Sequence, residues 1–190
     1  MKLSGSYQIY LEKQKVWEAL NDPEILKKTL PGCEEFIKKS ETEFTATATN
    51  KIGPFNASFT GDIELKDLNP PHSYKIVGSG NSPVGFANGE AFVRLEDKDD
   101  VTTLTYTVEA NVGGKIAQVG SRLIDMTAKK MADIFFGKFT EVISSSRKIE
   151  NNEQQKIIEK KVPREKKSQK KIFIYITLTI SALVAIYLIT

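Results

Sequence analysis

One cysteine, one histidine and one tryptophan are all that this 190-residue chain carries of those three types. With Cys33 alone, no disulfide can form within the chain, and nothing points to an oxidising compartment. Cys33 follows Pro31-Gly32 and reads as a small apolar residue rather than a nucleophile. His72 lies beside Pro70-Pro71 and reads as a surface-loop residue, yet any Ser/His/Asp or Cys/His set must pass through it. No Cys/His cluster has zinc spacing. Gly78-Ser79-Gly80 is not followed by a helix, and Gly85 to Gly89 falls in or before a strand, so neither is a phosphate-cradling loop. The sequence therefore offers no catalytic, cofactor-binding or metal-binding residues. The first residues, MKLSGSYQIYLEKQ, have no apolar stretch of the kind a secretory leader requires, so none is expected.

Charge is unevenly shared. Residues 1–146 hold 17 Lys and Arg against 20 Asp and Glu, a net of −3; residues 147–190 hold 10 against 4, a net of +6. The basic balance belongs to the C-terminal part. Nucleic-acid binding would need a basic face on the folded domain, so no nucleic-acid partner is expected.

What is present at that end is a run without charge. Ile172 to Thr190 reads IFIYITLTISALVAIYLIT. At about 1.5 Å per residue it reaches roughly 28 Å, close to the hydrocarbon thickness of a bilayer. A buried core helix would show a polar face. Here only Thr177, Thr179, Ser181 and Thr190 are polar, and Tyr175 and Tyr187 stand near the two ends. Seven basic residues precede the run: Lys160, Lys161, Arg164, Lys166, Lys167, Lys170 and Lys171. The positive-inside rule then predicts a single-pass tail anchor in the cell membrane, with the N-terminal domain cytoplasmic. The basic run also suits anionic headgroups, at about 1 kcal/mol per charge near the surface. The predicted organisation is a domain over 1–146, a basic polar linker over 147–171 and a transmembrane anchor over 172–190.

Within the domain, Lys2 to Tyr10 reads as a strand, and Val16 to Leu20 and Glu24 to Thr29 as short helices, with Asp22-Pro23 starting the second. A β region follows. Phe44, Ala46 and Ala48 alternate with threonines. After Gly53-Pro54, the row Phe55, Ala57, Phe59, Gly61, Ile63 and Leu65 alternates with polar residues. Ser73 to Gly80, Gly89 to Glu96 and Val101 to Val112 read as further strands, with Asp97 to Asp100 as a turn. Gly113-Gly114 ends the sheet. Lys115 to Ile143 is expected to be one long helix, with Ile116, Val119, Leu123, Thr127, Met131 and Ile134 on its apolar side and Lys130 fitting poorly. An antiparallel sheet must cover its apolar face, and this helix is the only large cover available. The fold class is α+β, a strongly curved sheet around one long C-terminal helix.

The inward rows are small: Ala46, Ala48, Ala57, Gly61, Gly78, Gly89, Ala91 and Ala110. Two readings stand side by side. The volume they leave forms a hydrophobic ligand tunnel, or Phe44, Phe55, Phe59, Phe135 and Phe139 plug it. The residues expected to line a pocket are Phe44, Ala46, Ala57, Phe59, Tyr106, Leu123, Thr127 and Met131.

Several stretches together resemble the CoxG family of carbon monoxide dehydrogenase proteins: Val16-Trp17-Glu18-Ala19-Leu20 with Asp22-Pro23; Leu30-Pro31-Gly32-Cys33; Lys51-Ile52-Gly53-Pro54-Phe55; and Gly113-Gly114-Lys115 through Ile124, followed by Met131-Ala132-Asp133 and Phe135-Phe136. The match covers roughly residues 1–143. Within it Trp17, Pro31, Gly32, Gly113 and Gly114 are motif residues that a structural role alone would explain. The resemblance implies the helix-grip fold of the START-like, or SRPBCC, superfamily. It also implies a non-enzymatic accessory role, recruiting a molybdenum hydroxylase of the carbon monoxide dehydrogenase type to the membrane and handling a quinone. Three alternatives stay open: a stand-alone carrier of a lipid or other hydrophobic small molecule, a cyclase of the same superfamily using Thr127, Tyr106 and Asn88, and a maturation factor for the hydroxylase.

Overall fold

Period-two alternation carries seven strands into one antiparallel sheet. The computed structural model describes the backbone of residues 1–99 and 101–161, and the side chains of residues 1–99 and 101–145. The strands are β1 (Lys2–Ile9), β2 (Cys33–Lys38), β3 (Glu43–Ile52), β4 (Phe55–Asn69), β5 (Ser73–Ser82), β6 (Gly85–Lys98) and β7 (Val101–Gly113). They lie in the order β1-β7-β6-β5-β4-β3-β2. From β2 to β7 each strand pairs with the next in sequence, and β1 pairs with β7. The one connection that crosses between the sheet edges contains α1 (Lys13–Leu20) and α2 (Pro23–Thr29).

The alternation decides which face is inside. Phe44 stands opposite Ile63, Ile63 opposite Gly78, Gly78 opposite Gly89 and Gly89 opposite Ala110. A second inward row runs from Tyr74 to Val93 to Tyr106. The small residues predicted to face inward thus share a face with the buried Phe44, Leu65, Tyr74, Val93 and Leu104. The two short helices cap one end of that face. Asp22 caps α2, its carboxylate accepting from the backbone N–H of Glu24 at 2.8 Å and of Ile25 at 3.4 Å, and Pro23 supplies a first position that needs no donor. Helix α1 buries Val16, Trp17, Ala19 and Leu20. Thr102, fully buried, donates its hydroxyl to the Leu11 carbonyl at 2.6 Å and so fixes the start of this connection to β7.

Helix α3 (Ser121–Lys161) provides the cover. Phe139 and Ile143 are buried in the core, with Ala132, Phe135 and Phe136 packed against it. Two expectations change here. The predicted helix from Lys115 is interrupted: Lys115–Val119 is a 3₁₀ turn, and Gly120 at φ +88° breaks the path before α3 begins. The buried Ile116 anchors that turn, its N–H bonded to the Val84 carbonyl at 2.9 Å. The apolar phase is also rotated, since Phe135, Phe136, Phe139 and Ile143 face the core while Ile134 is exposed. The rotation explains Lys130, which is simply exposed.

Strand β2 was hidden by its charges. Glu34, Glu35 and Lys38 sit on an edge strand with a bulge between Cys33 and Glu35, and this breaks the alternation. The first compact unit is Met1–Ile149; of the second, Glu150–Thr190, the described part is helical backbone as far as Lys161. The predicted anchor, Ile172 to Thr190, and residues 162–171 of the predicted linker lie outside the described residues, as does Asp100 of the predicted turn. Among the described residues, no helix is long and apolar enough to cross a membrane.

Candidate functional site

Where the two short helices, the sheet and α3 meet, they surround a cavity of about 200 Å³. Leu20, Leu26 and Leu30 come from the helical connection and Phe36 from β2. The sheet supplies Phe44, Ile63, Leu65, Tyr74, Ile76, Val93 and Leu104, and α3 supplies Phe135 and Phe136. Twelve of these thirteen side chains are hydrocarbon only; Tyr74 carries the one polar atom. A cavity of about 150 Å³ with such walls stays dry and admits a benzene ring. This one has room for a substituted ring, though not for a long chain as well.

Aromatic packing fixes the walls. Trp17 meets Tyr74 edge-on, with ring centres 5.2 Å apart and planes at 88°. Phe36 tilts against Phe44 at 5.4 Å. Phe136 stacks on Tyr7 at 4.1 Å, and Tyr106 lies 5.7 Å from it on the same cluster. Tyr74 is 3% exposed, and burial alone pushes its hydroxyl well above the usual tyrosine value. It therefore stays protonated at any physiological pH. Among the described residues its hydroxyl has no hydrogen-bond partner.

The residues expected to line a pocket are spread along the fold. Phe44 lines the cavity. Tyr106 is buried in the neighbouring aromatic stack, close against Gly5. Ala46, between Phe36 and Gly61, and Phe59, opposite Ala48, lie on the inward rows beyond the cavity. Ala57, opposite Asn50, is buried. Leu123 packs at the β3–β4 turn against Gly53. Thr127 donates its hydroxyl to the Leu123 carbonyl at 2.8 Å, within its own helix. Met131 is half-buried.

The lining residues that the sequence reading missed include Leu20, Leu26 and Leu30, because a rim made by a crossing connection has no strand period to reveal it. Tyr74 had a signal: it is the first inward residue of a strand whose next inward residues are Ile76 and Gly78.

Not every small inward residue makes space. A Cβ on Gly61 would strike the Ser79 carbonyl oxygen, and one on Gly89 the Glu109 carbonyl oxygen. At these two positions glycine is required by the neighbouring backbone. Gly78 differs, with its nearest neighbour, the Asp62 carbonyl oxygen, at 3.8 Å from such a Cβ.

A larger concavity, about 1000 Å³, crosses the sheet and is lined mainly by outward side chains. Its charges are largely paired, Lys2 with Glu109 at 2.7 Å and Lys39 with Asp62 at 2.9 Å. Such exposed pairs suit a solvated face. His72 is exposed, its N–H bonded to the Asn69 carbonyl. Cys33 is half-buried on the edge strand, where burial pushes its thiol up and away from reactivity. Among the described residues, no three His, Cys, Asp or Glu are placed to hold a metal ion.

The model of the carbon monoxide dehydrogenase family CoxG matches residues 5–144. Among solved structures, a conserved protein from Geobacillus kaustophilus is 33% identical, with a TM-score of 0.73 over 77% of this chain and 97% of that one. The Zhui aromatase/cyclase from Streptomyces sp. R1128 is 12% identical, with a TM-score of 0.55 over 76% of this chain and 93% of that one. Ara h 8.0201 is also 12% identical at a TM-score of 0.55, over 76% and 98%. The last two likenesses show the fold alone, a START-like curved antiparallel sheet with a C-terminal helix. No curated protein sequence matches.

Proposed function

We propose that this chain, which belongs to the CoxG family of carbon monoxide dehydrogenase proteins, is a membrane-tethered accessory protein. It holds the ring of a quinone, or of a similar lipid, in its apolar cavity. It presents that ring to a molybdenum hydroxylase of the carbon monoxide dehydrogenase type, so that electrons from the enzyme reach a membrane-borne acceptor. The observation that carries this reading is the hydrocarbon-lined cavity of about 200 Å³ in a chain of this family. A ring enters and is shielded from water there, and a longer isoprenoid would have to trail outside.

The apolar run from Ile172 to Thr190 and the basic stretch before it support the tether, with the domain on the cytoplasmic side. The polar candidates for chemistry do not converge. Thr127 is bonded within its helix, Asn88 is exposed and Tyr106 is stacked among aromatic rings. This favours a carrier over a cyclase.

The test is fractionation and capture with the full chain and with a variant lacking residues 172–190. The full chain is expected in the membrane fraction and the shortened one in the soluble fraction, both retaining the hydroxylase. A soluble full chain refutes the tether. A chain that retains a quinone but no hydroxylase is a stand-alone carrier, the second reading that the cavity supports by itself. A hydroxylase that lacks its metal in a deletion strain makes the chain a maturation factor.

A further inference from the structure

Tyr74 stands in an unusual position for a buried phenol. It lies on the wall of a cavity whose other twelve lining side chains have no polar atom. Its ring is held edge-on by Trp17 and its residue is 3% exposed. Its hydroxyl has no partner among the described residues, although buried hydroxyls are normally bonded. An apolar side chain of the same shape would cost nothing in hydrogen bonding, so a phenol here needs a reason that the protein alone does not supply.

From this we infer that Tyr74 is the specificity-determining residue of the cavity, donating its hydroxyl hydrogen to a carbonyl oxygen on a ring-sized apolar ligand. The inference rests on the carrier reading above and adds which ligand chemistry is selected. Burial keeps the phenol protonated, so it enters the cavity as a neutral donor. A carbonyl suits it better than a ligand hydroxyl or amine. With hydrocarbon walls elsewhere, any second polar site on the ligand goes unpaired, and an under-satisfied carbonyl oxygen is tolerated more readily than an orphaned N–H. A ring with a carbonyl is therefore favoured over the same ring without one, and the hydroxyl fixes which edge of the ring enters first.

The experiment uses the full chain held in amphipol, with protein-free amphipol as the reference. Two probes of matched shape are titrated by calorimetry, 2-methyl-1,4-naphthoquinone and 2-methylnaphthalene. The infrared carbonyl stretch of the bound quinone is then recorded for the natural chain and for Tyr74→Phe, which keeps the ring and its Trp17 contact.

The natural chain is expected to bind the quinone more tightly, with a carbonyl stretch shifted down from its free value. Tyr74→Phe is expected to weaken quinone binding roughly five- to tenfold, the worth of one such hydrogen bond. It should also abolish the carbonyl shift and leave the hydrocarbon unaffected. If Tyr74→Phe weakens both probes alike, or leaves the quinone and its carbonyl stretch unchanged, the inference is wrong and the carrier reading stands. If neither probe binds the natural chain, both fail together.

Discussion

The Tyr7 hydroxyl donates to Asp133 Oδ1 at 2.6 Å, joining β1 at the sheet edge to α3. Above this bond the Tyr7 ring stacks on Phe136, one of the two α3 residues lining the cavity. The position of the cavity's helical wall is therefore linked to a sheet edge through one polar and one aromatic contact. Tyr7→Phe keeps the stack and removes the bond, and is expected to lower unfolding stability by about 1 kcal/mol, read from a urea midpoint. Asp133→Ala should give a similar loss, with little further loss in the double variant.

The same pair predicts behaviour in alkali. Burial first, and the Asp133 bond next, push the Tyr7 hydroxyl well above the usual tyrosine value of 10.0. A raised pKa gives stability that is fully present below the unfolded value and is lost as pH rises toward the folded one. Stability should therefore decline above about pH 10, and less steeply in Tyr7→Phe.

In acid the exposed sheet face responds. Hydrogen bonds from Lys39 and Thr45 hold the Asp62 carboxyl below its usual value of 3.8, as a bond from Lys13 does for Asp97. Lys2 holds Glu109 below its usual 4.5. Each contribution is present above the unfolded pKa and is lost as pH falls through the depressed folded value. Urea midpoints should be flat near neutrality and fall below about pH 4, and Asp62→Asn should blunt that fall.

Two inward glycines should respond oppositely to alanine. Gly61→Ala forces the new methyl into the Ser79 carbonyl and is expected to destabilise by at least about 2 kcal/mol. Gly78→Ala meets nothing closer than 3.8 Å, so it should leave stability unchanged or raise it by about 0.4–1 kcal/mol through the unfolded state. Equal losses would show that the sheet is less closely approached at Gly61 than described.

Asp125 has a buried Oδ1 without a hydrogen-bond partner among the described residues. Seven and fourteen residues before Ala132 and Phe139, it lies nearly on the core-facing line of α3. Asp125→Leu should raise the urea midpoint by an amount corresponding to about 1 kcal/mol, since an unpaired buried oxygen is removed. An unchanged midpoint would mean that water already satisfies that oxygen.

Much of the fold is legible in the residues because period-two rows from Phe44 to Leu65 and from Leu104 to Val112 admit only one face inward. The charged edge strand at Cys33 to Lys38 is not, because its bulge destroys the period. The helix from Lys115 fails at Gly120, where a backbone turn outweighs an apolar spacing that would otherwise continue. The site is harder to read than the fold. Small residues on the inward rows suggest space, yet Gly61 and Gly89 are small because a neighbouring carbonyl needs their room. The cavity itself depends on Leu20, Leu26 and Leu30, which come from a connection that must cross from one sheet edge to the other before they meet Tyr74.

The central claim is that this cavity takes up an apolar ring, and Trp17 reports on it. Trp17 is the chain's single tryptophan, 5.2 Å from Tyr74 on the cavity wall. Its fluorescence is measured while 2-methyl-1,4-naphthoquinone is added to the full chain and to Ile76→Phe, which fills the cavity with a larger side chain. Saturable quenching with one site per chain, lost in Ile76→Phe, is the predicted result. Quenching that rises linearly without saturating, or that is the same in both proteins, would contradict it.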